Sequence, residues 1–246
     1  MRGLELNEVE WWSFWTDVHW FGDSYIMLST DFLESFFNRA GFVDCGSSSQ
    51  SIPRIEAEFA NAKTQVCFAV SEECKELGKE LGNRGYIPFD GMAVLRLDGP
   101  KFKTSSNLSI LTGQDVSIED WASAYSLSFY DDHRYQEQVS RIAKALQGER
   151  SVTLMEGKKD GRTVGILAAF RTPDLLGVYC VGTLVKYRKM GVAGSLINEA
   201  SRIALEEGRT LFLQTMLSDE IEDFYLNGGF HRLYVKRFMR EEVSGS

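Results

Sequence analysis

The stretch Arg188-Lys189-Met190-Gly191-Val192-Ala193-Gly194 has the composition of an anion-binding turn. An apolar run, Leu175 to Val181, precedes it behind Pro173-Asp174 and predicts a buried strand. After it, Leu196, Ile197, Ala200, Ile203 and Ala204 recur at three- and four-residue intervals, the apolar face of an amphipathic helix. Small residues let a ligand approach the backbone, and the first turn of a helix offers unpaired N–H groups at the positive end of its dipole. That is chemistry for phosphate. A dinucleotide-binding turn needs three spaced glycines and an acidic residue about 20 positions on, and a P-loop needs Gly-Lys-Ser/Thr. Neither pattern is present.

A second stretch follows one strand later. Thr210 to Thr215 reads as that strand and Asp219 to Asn227 as a short helix, ending in Phe224-Tyr225-Leu226-Asn227-Gly228-Gly229-Phe230. Gly229 suits a helix C-cap, where positive φ is required, and Phe230 the contact that follows.

Arg188-x-x-Gly191-x-Ala193 resembles the Arg/Gln-x-x-Gly-x-Gly/Ala signature of the GNAT superfamily, the acyl-CoA-dependent N-acyltransferases. Val181-Gly182-Thr183-Leu184 is similar to the end of that family's fourth strand. Tyr225 through Gly229-Phe230 resembles its closing Tyr-x-x-x-Gly-Phe motif. The resemblance covers residues 106–240. It implies an α/β (α+β) GNAT fold, a mixed and mostly antiparallel sheet flanked by helices, with acetyl-CoA as acyl-donor cosubstrate.

Residue by residue, the resemblance implies that the N–H groups around Lys189, Met190, Gly191, Val192, Ala193 and Gly194 hold the CoA pyrophosphate. Arg188 holds the loop or the nearby phosphate, and Lys189 adds a salt-sensitive attraction. The backbone of Val181 and Thr183 pairs with the pantetheine arm, and Gly182 between them leaves it room. The Val181 N–H faces the thioester oxygen as an oxyanion donor. Tyr225 stands where the family often keeps its general acid; a tyrosine with the ordinary pKa of about 10 donates readily to a thiolate. Three positions depart from the pattern: Ser218 replaces an asparagine that bonds the CoA arm, Val185 replaces a proline, and Leu175 to Val185 contains no carboxylate to serve as base. The base therefore stays unassigned.

The implied reaction is acetyl transfer to a primary amine of a small molecule or protein, by direct attack in a ternary complex. The alternative is an inactive acyl-CoA-binding sensor or interaction module. Turnover with a panel of amines separates the two.

The elements that must position these residues fall into two halves. Asp98 to Asn107 is a polar connection centred on Gly99-Pro100, which divides the chain into 1–103 and 104–246. In the second half, Leu108 to Leu111 reads as a strand, Glu119–Tyr130 and Arg134–Leu146 as helices, and Val152 to Phe170 as a hairpin around 157–161. Asp131, Asp132 and His133 join the two helices, where an acceptor contact and a solvated loop are equally open. In the first half, 52–62 reads as a helix, Val66 to Val70 as a strand, Glu72 to Asn83 as a helix, and Met92 to Leu97 as a strand, with a polar loop at 46–51. This strand–helix–Gly-aromatic–strand order repeats the C-terminal one, Gly85-Tyr86 falling on Gly229-Phe230 at an offset of 144 residues. No counterpart of the Arg-x-x-Gly-x-Ala loop precedes Val66, and Leu81 stands in place of Tyr225. The first half thus reads as a degenerate GNAT-like domain.

A 246-residue chain with 43% apolar residues can bury one or two cores. Its net charge of −8 argues against nucleic acid as a partner and is compatible with a cationic amine or with simple solubility. No run of about 18 apolar residues predicts a membrane helix, and Met1 to Glu5 shows no secretory signal. Cys45, Cys67, Cys74 and Cys180 lack paired spacing and read as reduced, packed thiols of a cytoplasmic protein. With three histidines, none at ligand spacing, no metal is expected. The aromatic cluster of Trp11, Trp12, Phe14, Trp15, Trp20 and Phe21 reads as core or interface before ligand platform. A homodimer is compatible with all of this.

Overall fold

In the computed structural model, residues 1–43, 45–46 and 49–242 are described; part of the polar loop expected at 46–51 lies outside them. The chain forms two compact units, neither contiguous in sequence. The first holds 1–94, 215–222 and 232–246, and the second 95–214 and 223–231.

The first unit opens with a helix, Arg2–Trp12 (α1), and a hairpin, Asp17–Phe21 (β1) and Ser24–Leu28 (β2). Arg39–Phe42 (β3), Ile52–Asn61 (α2), Cys67–Ser71 (β4), Lys75–Asn83 (α3) and Tyr86–Leu97 (β5) follow. Its last strand, Phe230–Glu241 (β11), comes from the end of the chain and pairs antiparallel with β4, Phe238 opposite Ala69. The strand order is β1-β2-β3-β4-β11-β5, with β3 and β4 parallel around α2. β5 starts six residues before the expected Met92, because Ile87, Pro88 and Phe89 are exposed and show no core pattern.

One face of this sheet buries Ile26, Phe42 and Phe68 against Ile52, Ile55 and Phe59 of α2 and Leu77 and Leu81 of α3. The aromatic cluster is core, as expected, for Trp11, Trp12 and Trp15, all at most 6% exposed; Trp20 faces solvent. Trp12 meets Phe36 edge-on at 4.8 Å, and Phe32 stacks on Phe37 at 4.5 Å. Beside it lies a buried charge network that the sequence pattern does not reveal. Glu5 and Glu8, one turn apart on α1, both contact Lys236 of β11. Arg39 donates to Glu8 at 2.6 Å, and the Tyr234 hydroxyl donates to Glu5 at 2.6 Å. All five side chains are buried.

Tyr25 pairs with Gly41 across β2 and β3, and a Cβ on Gly41 would lie 2.2 Å from the Tyr25 hydroxyl oxygen. Tyr25 is fully buried. Gly41→Ala is therefore expected to cost about 1–3 kcal/mol by overpacking, read as a lowered urea midpoint. An unchanged midpoint would show that the phenol swings aside freely.

The cysteine expectation is corrected. Cys45 and Cys74 form a disulfide, their Cα atoms 4.7 Å apart, while Cys67 and Cys180 are free. A separation of 29 residues leaves no local spacing signal; the turn after β3 and the start of α3 meet only in the folded unit. The disulfide withdraws the thiol argument for a cytoplasmic location. No helix among the described residues is long and apolar enough to cross a membrane.

The second unit carries Ser109–Thr112 (β6), Ile118–Phe129 (α4), Gln136–Gly148 (α5), Val152–Lys159 (β7), Arg162–Arg171 (β8), Leu175–Thr183 (β9), Val192–Glu206 (α6), Thr210–Met216 (β10) and Glu222–Asn227 (α7). Its strand order is β10-β9-β8-β7-β6, antiparallel except for β9 with β10. Asp160 and Gly161, both at positive φ, make the two-residue turn between β7 and β8. Ser117 caps α4, its hydroxyl accepting from the Asp120 N–H at 3.3 Å, and its own N–H donates to the buried Glu156 of β7. α4 is thereby seated on the sheet. The β4–α3–β5 order of the first unit recurs as β10–α7–β11, and β5 and β11 are each 12 residues long.

Candidate active site

The site is built where β9 stops behaving as a regular strand. β10 pairs with it in register only as far as Leu213 opposite Val178. On the other side Tyr179 faces Ala168 and Gly182 faces Ile166, so Cys180 and Val181 together stand opposite Leu167. This is a β-bulge, with Cys180 at φ +53°. A bulge bends the strand and re-aims its backbone, here at Val181, Gly182 and Thr183. Burial pushes the Cys180 thiol well above its usual range, so it is held protonated. A protonated thiol is a poor nucleophile.

The loop after β9 is pinned by the Leu184 N–H donating to the Val164 carbonyl at 3.0 Å. Arg188 donates to the Thr183 carbonyl at 3.3 Å and to the Ser128 carbonyl at 3.0 Å. Its guanidinium therefore braces the loop between β9 and the end of α4. Lys189 and Met190 are exposed, Lys189 at φ +63°. Gly191, at φ +79°, is the N-cap of α6 and supplies no side-chain cap. Among the described residues, the N–H groups of Val192, Ala193 and Gly194, the first helical turn, donate to no backbone carbonyl. Gly165 of β8 lets this turn close onto the sheet; a Cβ there would lie 2.4 Å from Val192.

Two hydroxyls around the bulge are buried and make no hydrogen bond, Ser128 Oγ and Thr183 Oγ1. The Ser128 side chain covers Gly182, within 3.0 Å of where a Cβ would stand. Tyr225 of α7 is 5% exposed, its ring 5.1 Å from Phe224 and 5.9 Å from Phe230. Gly229 ends that helix at φ +101°, the C-cap expected of it.

Residues 116–236 match the acetyltransferase (GNAT) family. The chain carries a GNAT acetyltransferase domain. No functionally curated protein matches it. Among solved structures, a GCN5-related N-acetyltransferase from Kribbella flavida is 17% identical with a TM-score of 0.68, over 98% of this chain and 95% of that one. A counterpart from Sphaerobacter thermophilus is 14% identical with a TM-score of 0.65, over 95% and 85%. A tandem GNAT protein from the clavulanic acid biosynthesis pathway is 14% identical with a TM-score of 0.64, over 91% and 79%. At such identities the likeness is one of fold.

In the second unit the GNAT domain brings the strand end 181–183, the loop 188–194 and Tyr225 into one body. Ser218 falls in the first unit, where its hydroxyl donates to Asp90 at 2.7 Å. The Asp90 charge and, first, burial raise the Asp219 carboxyl above its ordinary value. Ser128 was missed by sequence reasoning, since a serine near a helix end gives no signal of facing a bulge that lies beyond α5, β7 and β8 in the chain. Also missed was the backbone of 103–105, which lies against Gly191 and Gly194. Among the described residues no group of three His, Cys, Asp or Glu could hold a metal ion.

Proposed function

We propose that the protein is an N-acetyltransferase, moving an acetyl group from acetyl-CoA to a primary amine of a small molecule or peptide by direct attack. The observation that supports this best is the uncapped first turn of α6, beside Arg188 and Lys189 and directly after the bulged end of β9. Its donors suit an anionic pyrophosphate, and the buried hydroxyls of Ser128 and Thr183 suit a polar arm. When bound, acetyl-CoA supplies a thioester activated toward amines.

Each protein group then has a task. The N–H groups from Lys189 to Gly194 hold the pyrophosphate, with the loop braced by Arg188. The backbone of Val181 and Thr183 aligns the arm past Gly182, and the Val181 N–H stabilises negative charge developing on the acyl oxygen. The acceptor nitrogen bonds to the acyl carbon as the carbon–sulfur bond breaks, Tyr225 gives its proton to the departing sulfur, and the proton released by the nitrogen passes to solvent water, from which Tyr225 is reprotonated. The high pKa of Cys180 disfavours an acyl-cysteine route. Residues 104–246 form the catalytic half in this reading and 1–103 a degenerate copy, whose Ser51–Ile52–Pro53 helix start offers no glycine loop.

A sensor that binds acyl-CoA without transferring it is the second reading, favoured by the absence of a carboxylate from β9. Calorimetric titration of acetyl-CoA, followed by thiol release with a panel of amines, tests both. Binding with turnover supports the transferase. Binding without turnover for any amine supports the sensor, and no binding rejects both.

A further inference from the structure

The segment Gly99–Ser105, within the second unit, crosses the outside of the α6 first turn. At one end the Lys101 N–H donates to the Gly228 carbonyl at 2.9 Å, and at the other the Ser105 N–H donates to Ser195 Oγ at 2.9 Å. Between them the Phe102 ring lies 5.1 Å from Phe224 and 6.0 Å from Phe230. It also rests on Gly228, where a Cβ would come within 2.1 Å of the ring. A Cβ on Gly194 would meet the Lys103 carbonyl oxygen at 2.5 Å, and one on Gly191 the Thr104 carbonyl oxygen at 2.9 Å.

Two carbonyl oxygens thus rest against the turn whose N–H groups are unspent. A carbonyl oxygen carries the negative end of the peptide dipole, and among the described residues these two lie beside the turn without accepting from its N–H groups. A phosphate brings full negative charge, and close approach of its oxygens to these carbonyls would be repulsive. We propose that residues 99–105 are a strap that closes the nucleotide-binding turn of α6 and lifts away when acyl-CoA binds. The proposal rests on the acyl-CoA reading above.

The strap is fastened at its two ends and by Phe102, and the rest of it is exposed. Pro100, Lys101, Lys103 and Thr104 are exposed, and neither Lys103 nor Thr104 donates a backbone hydrogen bond. Segments with few buried contacts open at low cost. Phe102 is the latch, and the two rings it packs on both flank Tyr225. Lifting it uncovers one side of the cluster that holds the candidate acid.

A closed strap reduces apparent affinity by the fraction of molecules that are open; at about one open molecule in ten, removing the latch tightens binding about tenfold. The test is calorimetric titration of CoA into the wild type and Phe102→Ala, together with tryptic digestion of the wild type with and without CoA. The expected results are about tenfold tighter binding by the variant and faster cleavage after Lys101 and Lys103 when CoA is present. Weaker binding by the variant, or protection of those lysines by CoA, overturns the strap and makes the segment part of the binding surface. Equal affinities with unchanged cleavage overturn the strap and leave the acyl-CoA reading standing. Absence of CoA binding to either protein overturns both. If Phe102→Ala does not fold, the digestion of the wild type decides.

Discussion

Lys236→Met is expected to destabilise the folded protein by about 3–5 kcal/mol, because it strands buried carboxylates without their cation. Lys236 is 1% exposed and contacts both Glu5 and Glu8, while Arg39 pairs with Glu8. Four opposed charges balance within this cluster, and methionine removes one of the two positive ones. The measurement is urea unfolding at neutral pH, read as a lowered midpoint at unchanged slope. The pH dependence has a defined sign. Burial raises the Glu5 pKa, and Lys236 opposes that rise. A carboxyl whose folded pKa is raised contributes stability that is full below its unfolded value and is lost as pH rises through the folded one. Without Lys236 the rise is larger, so the deficit of the variant should shrink as pH falls into the carboxylate range and Glu5 takes up a proton. A deficit that grows on acidification would contradict this account. Adding Glu5→Gln to Lys236→Met should recover part of the loss, since it removes the charge left unpaired. Because Glu5 lies on the first helix and Lys236 on the last strand, the cluster also ties the two ends of the chain into the first unit.

Tyr225→Phe is expected to lower kcat about 10²-fold or more, the usual range for losing a positioned general acid, with little change in the affinity for acetyl-CoA. The ring is packed between Phe224 and Phe230, and phenylalanine preserves that packing. A fall in kcat at unchanged stability would therefore report the hydroxyl. Leaving-group protonation is the step affected, so a donor analogue with a less basic leaving thiol should recover part of the rate in the variant. If kcat is unaffected, another group protonates the thiolate, and Tyr225 is a core residue.

Much of the second unit was legible because its signals are local. The apolar run ending at Val181, the small residues at 191–194 and the Gly229-Phe230 helix stop each follow from rules acting over a few residues. α4 and α5 occupy 118–129 and 136–148, close to the expected 119–130 and 134–146. The bulge at Cys180–Val181 was not legible, since it is a matter of pairing with β8, and pairing involves residues far apart in sequence. Ser218 illustrates the same limit. It stands where the resemblance implies an asparagine on the CoA arm, and its hydroxyl donates to Asp90, 128 residues away.

By itself the sequence determined the secondary elements around the loop 188–194, the strand–helix–strand order that β4–α3–β5 and β10–α7–β11 share, and the burial of Trp11, Trp12 and Trp15. Those follow from periodicity, from glycine's access to positive φ and from apolar content. Only the tertiary structure decided that β11 completes the first unit, that Cys45 reaches Cys74, that Glu5, Glu8, Arg39 and Lys236 are buried together, and that the backbone of 103–105 lies against Gly191 and Gly194. Each of these joins residues whose partners are distant in the chain. A charged side chain looks the same in sequence whether it will be solvated or buried, and only the partner brought to it by the fold makes burial affordable.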